Sequence, residues 1–448
     1  MGASTEGYFF LYILLCISLG VIYVKVKSME DTVVTTKDFK TFQNTLVFGN
    51  GVQTLGELLA IASFYPTFTS LGCDIEAITQ LYCISVLSTT VCGVLLEVVD
   101  FGTRKAKCIL CTCLYFTALF SLCCDDHYDM LMLGRVIYGA ATALHHGLDQ
   151  SSFEAYVINQ HTTQGFPDDW LNNTFTIMAH SVALVAAISG IVGQTASSSG
   201  SLGVAGLCCV VFAFAVVYMM FLWPQDVSSP RFMLSGFLSN CKQTLETAKT
   251  NVTMQHVLGI SALYESSIVI FTFYWAPWMA GMLVIEEGEV APLPYETIYA
   301  SMIVASMIGN YLFGIYVADI GADKAFQYSL LGTAGLFGLA SVLFSATMAF
   351  WCAVGVQLCI GVYWPSIGTL KGKLIAPEMR ASFTAASRVL TLVISYTILH
   401  MVHDSTFLML LLCGGLAGLA GYLHITLISR HDLENDDGSV VEYAKDDD

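Results

Sequence analysis

Apolar stretches long enough to cross a hydrocarbon core about 30 Å thick, roughly 20 residues each, recur along almost the whole chain and are separated by short polar turns. Hydropathy and turn residues together predict a first span near 8–25. Six more follow near 44–68, 76–98, 106–124, 130–157, 172–196 and 202–223, and a second six near 256–283, 297–318, 325–345, 347–370, 383–403 and 406–428. Between the sixes lies a polar stretch, Pro224 to Gln255. The pattern divides the chain into an anchor helix with its connector (1–40), an N-terminal six-helix half (41–223), a cytoplasmic central linker (224–255), a C-terminal six-helix half (256–429) and an acidic cytoplasmic tail (430–448). The expected class is an all-α polytopic membrane protein, two six-helix halves plus one extra N-terminal transmembrane helix.

Composition agrees with this pattern. Of 448 residues 55% are apolar and 12% charged, against about 25% charged in soluble domains, too few to clothe a water-exposed surface. Most of the 15 cysteines fall inside apolar runs, as in Cys108, Cys111 and Cys113 or Cys208 and Cys209, at spacings that match no zinc site. They read as small apolar residues packing between helices; Cys73, Cys123 and Cys124, at a membrane edge, leave a bridge open. No basic segment precedes the first span and Lys25 and Lys27 follow it, which favours a retained anchor with its N-terminus outside over a signal peptide.

Charge fixes the orientation. Cytoplasmic loops collect Lys and Arg. If Lys25 to Lys40 is cytoplasmic, alternation through the spans puts 16 of the 18 basic residues on that side, including Arg104, Lys105, Lys107, Lys324, Lys371 and Arg380. The remaining two, Arg135 and Arg388, fall within spans, and the outer loops are acidic, as in Glu286-Glu287-Gly-Glu289. The net charge of −17 sits largely in the tail and short loops. The tripeptides at Asn172 and Asn251 fit the glycosylation pattern but lie on the cytoplasmic side.

An ionisable side chain at a helix centre costs roughly 2.5–3.5 kcal/mol on insertion scales, so each is a functional candidate. In the fourth core helix Arg135, Tyr138, Thr142, His145 or His146, and Asp149 recur at helical steps and form one stripe. Asn50, Gln53 and Glu57 do the same in the first helix, Ser261, Glu265 and Thr272 in the seventh, and Arg388, Thr391 and Ser395 in the eleventh. Lipid would not tolerate such stripes, which are expected to converge on a water-filled cavity between the halves. Arg135 and Arg388 are candidate ligands for an anion, with Tyr138 and Thr142 beside Arg135. Glu57, Glu265, Asp149 and Glu154 are candidates for ion pairing or for proton coupling. Trp275 and Trp364, beside Pro277 and Pro365, mark candidate bends.

The halves also share a heptapeptide. The loop after the second core span reads Asp100-Phe-Gly102-Thr-Arg104-Lys105-Ala106, and its counterpart reads Asp319-Ile-Gly321-Ala-Asp323-Lys324-Ala325. This acidic-Gly-basic loop, with Gly134-Arg135-Val-Ile-Tyr-Gly139 in the fourth helix, resembles the signatures of the major facilitator superfamily. The resemblance implies a cytoplasmic gate at Asp100, Gly102, Arg104, Lys105, Asp319, Gly321 and Lys324, whose charges pair across the halves. A narrower set, Ser152-Phe-Glu154-Ala, Phe166-Pro-Asp-Asp-Trp170, Ala262-Leu-Tyr-Glu265-Ser, Gly361-Val-Tyr-Trp-Pro365-Ser and Arg388-Val389, is similar to the eukaryotic molybdate-anion transporter family. It implies alternating-access transport of molybdate or a related oxyanion at the plasma membrane. The expected partners are a small inorganic anion, protons as coupling-ion candidate, and the lipid bilayer. A transporter of a neutral or organic solute, and a non-transporting membrane sensor, remain open alternatives. The sequence suggests no nucleic-acid partner, cofactor or metal, and no nucleophile-base arrangement or phosphate loop of an enzyme.

Overall fold

The computed structural model describes residues 5–30, 34–100, 102–124, 127–148, 150–226, 231–232, 234–287, 293–343, 345–402 and 405–436. Among these, fifteen α-helices account for nearly all of the chain. The extra helix is α1 (Thr5–Met29). The N-terminal half comprises α2 (Lys37–Ser70), α3 (Ile75–Val98), α4 (Arg104–Cys124), α5 (Tyr128–His146), α6 (Ser152–Thr163), α7 (Asp168–Ser197) and α8 (Ser201–Leu222). After α9 (Leu234–Thr250) the C-terminal half comprises α10 (Val252–Glu287), α11 (Tyr295–Ile320), α12 (Ala322–Val342), α13 (Ala346–Leu374), α14 (Arg380–Val402) and α15 (Thr406–Asp436).

Eleven of these helices are long and apolar enough to cross a membrane. Of the helices of the two halves, α2, α5 and the short α6 fall outside that set, and α2 and α5 carry dense polar stripes. Both are packed among spanning neighbours, α2 against α7 and α8 and α5 against α3 and α4. Local signals set several helix starts: the Thr36 hydroxyl accepts from Phe39 N–H at α2, and the Asp74 carboxylate accepts from Ala77 N–H at α3.

The span expected over 130–157 is broken. α5 ends at His146 and Gly147 turns at φ +57°, a left-handed conformation that glycine adopts without a Cβ penalty. The chain restarts as α6, behind a capping box in which Ser151 and Glu154 satisfy each other's backbone N–H groups. Glu154 is therefore a helix-starting residue. The polar linker likewise contains a helix, α9, docked by Asn240 Nδ2 donating to the Glu378 carbonyl and by a Thr244–Ser382 hydroxyl pair. A two-residue antiparallel pair joins Val99–Asp100 (β1) to Arg231–Phe232 (β2), tying the loop after α3 to the linker.

The halves share one apolar core toward one end and have cores of their own toward the other. The largest apolar core mixes residues of both, among them Leu58, Phe64 and Tyr138 with Trp275, Tyr299 and Met302. At the acidic end Tyr65 packs on Tyr295 and Thr297 donates to Gln194 Oε1. At the basic end each half has a core of its own. One is built around Phe39, Phe153, Tyr156 and Trp223, the other around Val257, Tyr264, Phe326 and Phe383. α1 lies across the seam, packed on α11 with a Tyr12 hydroxyl donating to the Ala187 carbonyl of α7.

Candidate functional site

Arg135 sits in α5 two turns from its acidic end and is 4% exposed. Its guanidinium lies over three rings, with centroids at 4.1 Å for Phe64 of α2, 4.9 Å for Tyr82 of α3 and 4.8 Å for Tyr138 one turn along α5. Cation–π attraction compensates part of the burial, but Nε and Nη1 have no hydrogen-bond partner among the described residues, and neither does the Tyr138 hydroxyl. A fixed, planar, partly unsatisfied cation enclosed by aromatic walls is suited to receiving an oxyanion.

Deeper along α5 lies a second cluster. Glu57, on α2, accepts from the Tyr115 hydroxyl of α4 at 3.1 Å. It faces His145 Nδ1 at 3.1 Å and His146 Nε2 at 3.4 Å. The two imidazoles are stacked at 4.7 Å. Thr142 stands between the clusters, its hydroxyl donating to the Tyr138 carbonyl and lying 3.4 Å from the Tyr115 hydroxyl. From Arg135 to His145 the helix rises about 15 Å, and Tyr138 and Thr142 lie along that stretch between the cation and the carboxylate.

In the C-terminal half Glu265 of α10 accepts from the Tyr363 hydroxyl at 3.2 Å and pairs with Lys371 Nζ at 3.4 Å. Arg388 of α14 meets α3, its Nη1 being 3.5 Å from where a Cβ on Gly93 would stand, and that nitrogen has no partner among the described residues. The rings around Arg135 belong to α2, α3 and α5; on α3 its neighbour is Tyr82, whereas that of Arg388 is Gly93, about 16 Å further along the helix. The two arginines thus occupy separate places.

Residues 8–348 match the family described as sugar transporters with twelve transmembrane helices, within the major facilitator group. The chain belongs to this family. Molybdate-anion transporters are among its relatives: that of Danio rerio is 25% identical over 317 residues, covering 62% of this chain and 63% of the relative. That of Xenopus laevis is 25% identical over 321 residues, covering 68% and 66%. The matched region thus spans slightly less than two thirds of either relative's length. The fold is similar to that of the nucleoside transporter NupG, with a TM-score of 0.64 at 11% identity over 86% of this chain and 99% of that one. It is also similar to a peptide transporter POT solved with sulfate, at 0.68 and 14% over 86% and 93%.

Within this major-facilitator frame the repeated loops share a feature. Gly102, two residues before α4, and Gly321, directly before α12, both hold positive φ, 68° and 80°. The basic residues of the first loop bond within their own half and to the start of the linker. Lys105 Nζ donates to the carbonyls of Met220 and Trp223 at the end of α8, at 3.1 and 2.8 Å. Arg104 donates to Asn159, and Asp226 accepts from the backbone N–H groups of Arg104 and Lys105. Asp319 and Lys324 are exposed. The side chain of Asp100, and Asp149 as a whole, lie outside the described residues.

Not every polar stripe faces a cavity. Gln53 accepts from Thr112 of α4 at 3.0 Å, and Thr391 donates to the Ala262 carbonyl of α10 at 3.4 Å, so both fill helix–helix seams. Trp275 is buried against Tyr295 and Tyr299, whereas Trp364 is exposed on the outer surface of its helix. Sequence reasoning also missed partners. Both histidines meet Glu57, and Lys371, beyond the predicted span end at 370, is carried by α13, which runs to Leu374 and presents it to Glu265. Two basic residues in the last turn of a helix, Lys371 and Lys373, were the available signal.

Proposed function

We propose that the protein is a secondary transporter carrying molybdate or a related tetrahedral oxyanion across the plasma membrane, by rocking its two halves around Arg135. The observation that carries the reading is the buried Arg135 guanidinium with Nε and Nη1 unpartnered. A dianion needs such donors, and relatives bear the name molybdate-anion transporter. Tyr138 and Thr142 line the path from that site toward Glu57, and Arg388 offers a second positive charge nearer the basic end. Glu57 and Glu265 are the carboxylates available to couple flux to protons.

Uptake of labelled molybdate by proteoliposomes, competed with sulfate and repeated with Arg135→Ala, tests the reading. Saturable uptake that sulfate competes and the variant loses supports it; undiminished uptake in Arg135→Ala removes Arg135 as the anion ligand. Repeating the assay with and without an imposed proton gradient tests coupling, and locating a tagged chain in cells tests the membrane assignment. A second reading, transport of a sugar-like organic solute, is favoured by the family's description and by the ring-lined surroundings of Tyr138. Flux of a labelled hexose with none of any oxyanion would select it.

A further inference from the structure

We infer that Glu57, His145 and His146 form a binding site for a divalent transition-metal cation of the Zn²⁺ class. One ligand atom from each lies within 4.8 Å of the other two. Imidazole nitrogen and carboxylate oxygen are the donors that such ions take, at about 2.0–2.2 Å, which puts neighbouring donors of a tetrahedral site about 3.3 Å apart. His145 Nδ1 lies 3.1 Å from Glu57 Oε2 and His146 Nε2 lies 3.4 Å from the other carboxylate oxygen, Oε1, so each imidazole faces one oxygen of the same carboxylate.

Successive helix residues point about 100° apart, so neighbouring histidines seldom serve one ion. Here they reach it by using different ring nitrogens, Nδ1 from the first and Nε2 from the second, at the point where α5 ends and Gly147 turns away. The carboxylate is oriented by a neighbour outside the donor set, the Tyr115 hydroxyl at 3.1 Å, as ligating carboxylates commonly are. The set also leaves an approach. Glu57 and His145 are enclosed, with side chains 10% and 14% exposed, while the His146 side chain is 54% exposed. Three protein donors with one open side describe a site that keeps a free coordination position. It stands apart from the oxyanion reading, because its occupancy is measurable with no transported solute present.

The test uses the full chain in detergent, purified without a polyhistidine tag, stripped by chelator and titrated with Zn²⁺ and with Co²⁺. About one ion per chain is expected, with the visible absorption of four-coordinate Co²⁺, and the Zn²⁺-loaded protein unfolds at a higher temperature. Glu57→Gln and His145→Ala each weaken binding by at least about tenfold and abolish the thermal shift. His256→Ala, on α10 far from the cluster, leaves both unchanged. Should the enclosed residues prove necessary for folding, His146→Gln replaces the exposed ligand and is expected to show the same loss. No stoichiometric Zn²⁺ in the unmodified chain, or affinity undiminished by these substitutions, reduces the cluster to a hydrogen-bonded His–Glu group and overturns the assignment.

Discussion

Lys371 Nζ lies 3.4 Å from Glu265 Oε1, joining the first and fourth helices of the C-terminal half. In the N-terminal half the same two helix positions are joined by His145 and Glu57. Each carboxylate also accepts from a tyrosine, Tyr115 in one half and Tyr363 in the other. The two halves therefore tie the same pair of helices through a carboxylate while differing in the base, a lysine in one and an imidazole pair in the other.

The Lys371 tie is expected to be structural first. Removing one partner of an enclosed pair leaves the other charge with less solvent than it needs, a loss of about 3–5 kcal/mol when burial is complete. Here the two side chains are 20% and 14% exposed, so a loss of roughly 1–3 kcal/mol is expected for Lys371→Met. Adding Glu265→Gln should restore most of it. Thermal unfolding of the single and double variants measures this, and a double variant no better than the single would show that the pair is not coupled.

The aromatic enclosure of Arg135 gives a kinetic expectation. Phe64 holds the guanidinium at 4.1 Å from its ring centre, an attraction worth about 1–2 kcal/mol where water is excluded. Phe64→Leu frees the cation to leave its position, so KM for oxyanion uptake should rise by about five- to thirtyfold with a nearly unchanged maximal rate. Phe64→Tyr keeps the ring and should stay close to the parent. A KM unmoved by Phe64→Leu would mean that the ring plays no part in placing Arg135.

How much of this was legible depends on what each feature requires. The spanning pattern was, because twenty-residue apolar runs and the placement of lysines are properties of the chain alone. The break at Gly147 was hidden, since apolar residues continue on both sides of it at Leu144, Leu148 and Phe153, and a left-handed φ leaves no mark on hydropathy. Helical spacing put Glu57 and the histidines each on a polar stripe, but which stripe meets which depends on the rotation of every helix about its axis. That rotation is settled by packing, as where Gln53 turns to Thr112 instead of a cavity. The Lys371 pairing was hidden for a related reason: α13 continues past the predicted span end at 370 to Leu374, which carries Lys371 on the helix and against Glu265 of its own half.

Close helix crossings give a stability expectation that separates packing from chemistry. A Cβ on Gly361 of α13 would fall on the Ser306 carbonyl of α11 and 2.8 Å from its carbon, whereas one on Gly206 of α8 would meet nothing within 4 Å. Because the obstacle is backbone, Gly361→Ala has to push two helices apart, at about 3 kcal/mol. Gly206→Ala should be neutral or slightly stabilising, alanine being the better helix former. Unfolding temperatures of the two variants in one detergent provide the comparison, and equal temperatures would contradict the crossing.

The end of α1 supplies the pH dependence. Glu30 accepts from Lys27 Nζ at 3.0 Å and from His180 Nε2 at 2.7 Å. With that nitrogen donating, His180 Nδ1 accepts from the Tyr311 hydroxyl, 2.8 Å away. One carboxylate thereby links α1 to α7 in one half and, through the imidazole, to α11 in the other. Burial pushes the Glu30 carboxyl up, but Lys27 and His180 outweigh it and hold it below its ordinary 4.5. A lowered carboxyl stabilises the fold fully above its unfolded value and loses that contribution as the pH falls through the folded one. Glu30→Gln should therefore lower stability by about 1 kcal/mol near pH 7, modest because the group is partly solvated. The difference from the parent should shrink steadily below about pH 4.5 and close once the parent's carboxyl is protonated. Thermal unfolding of both chains across that range measures it. A gap that stays constant into strong acid would place the effect of Gln in packing and leave Glu30 no electrostatic part in fastening α1 across the halves.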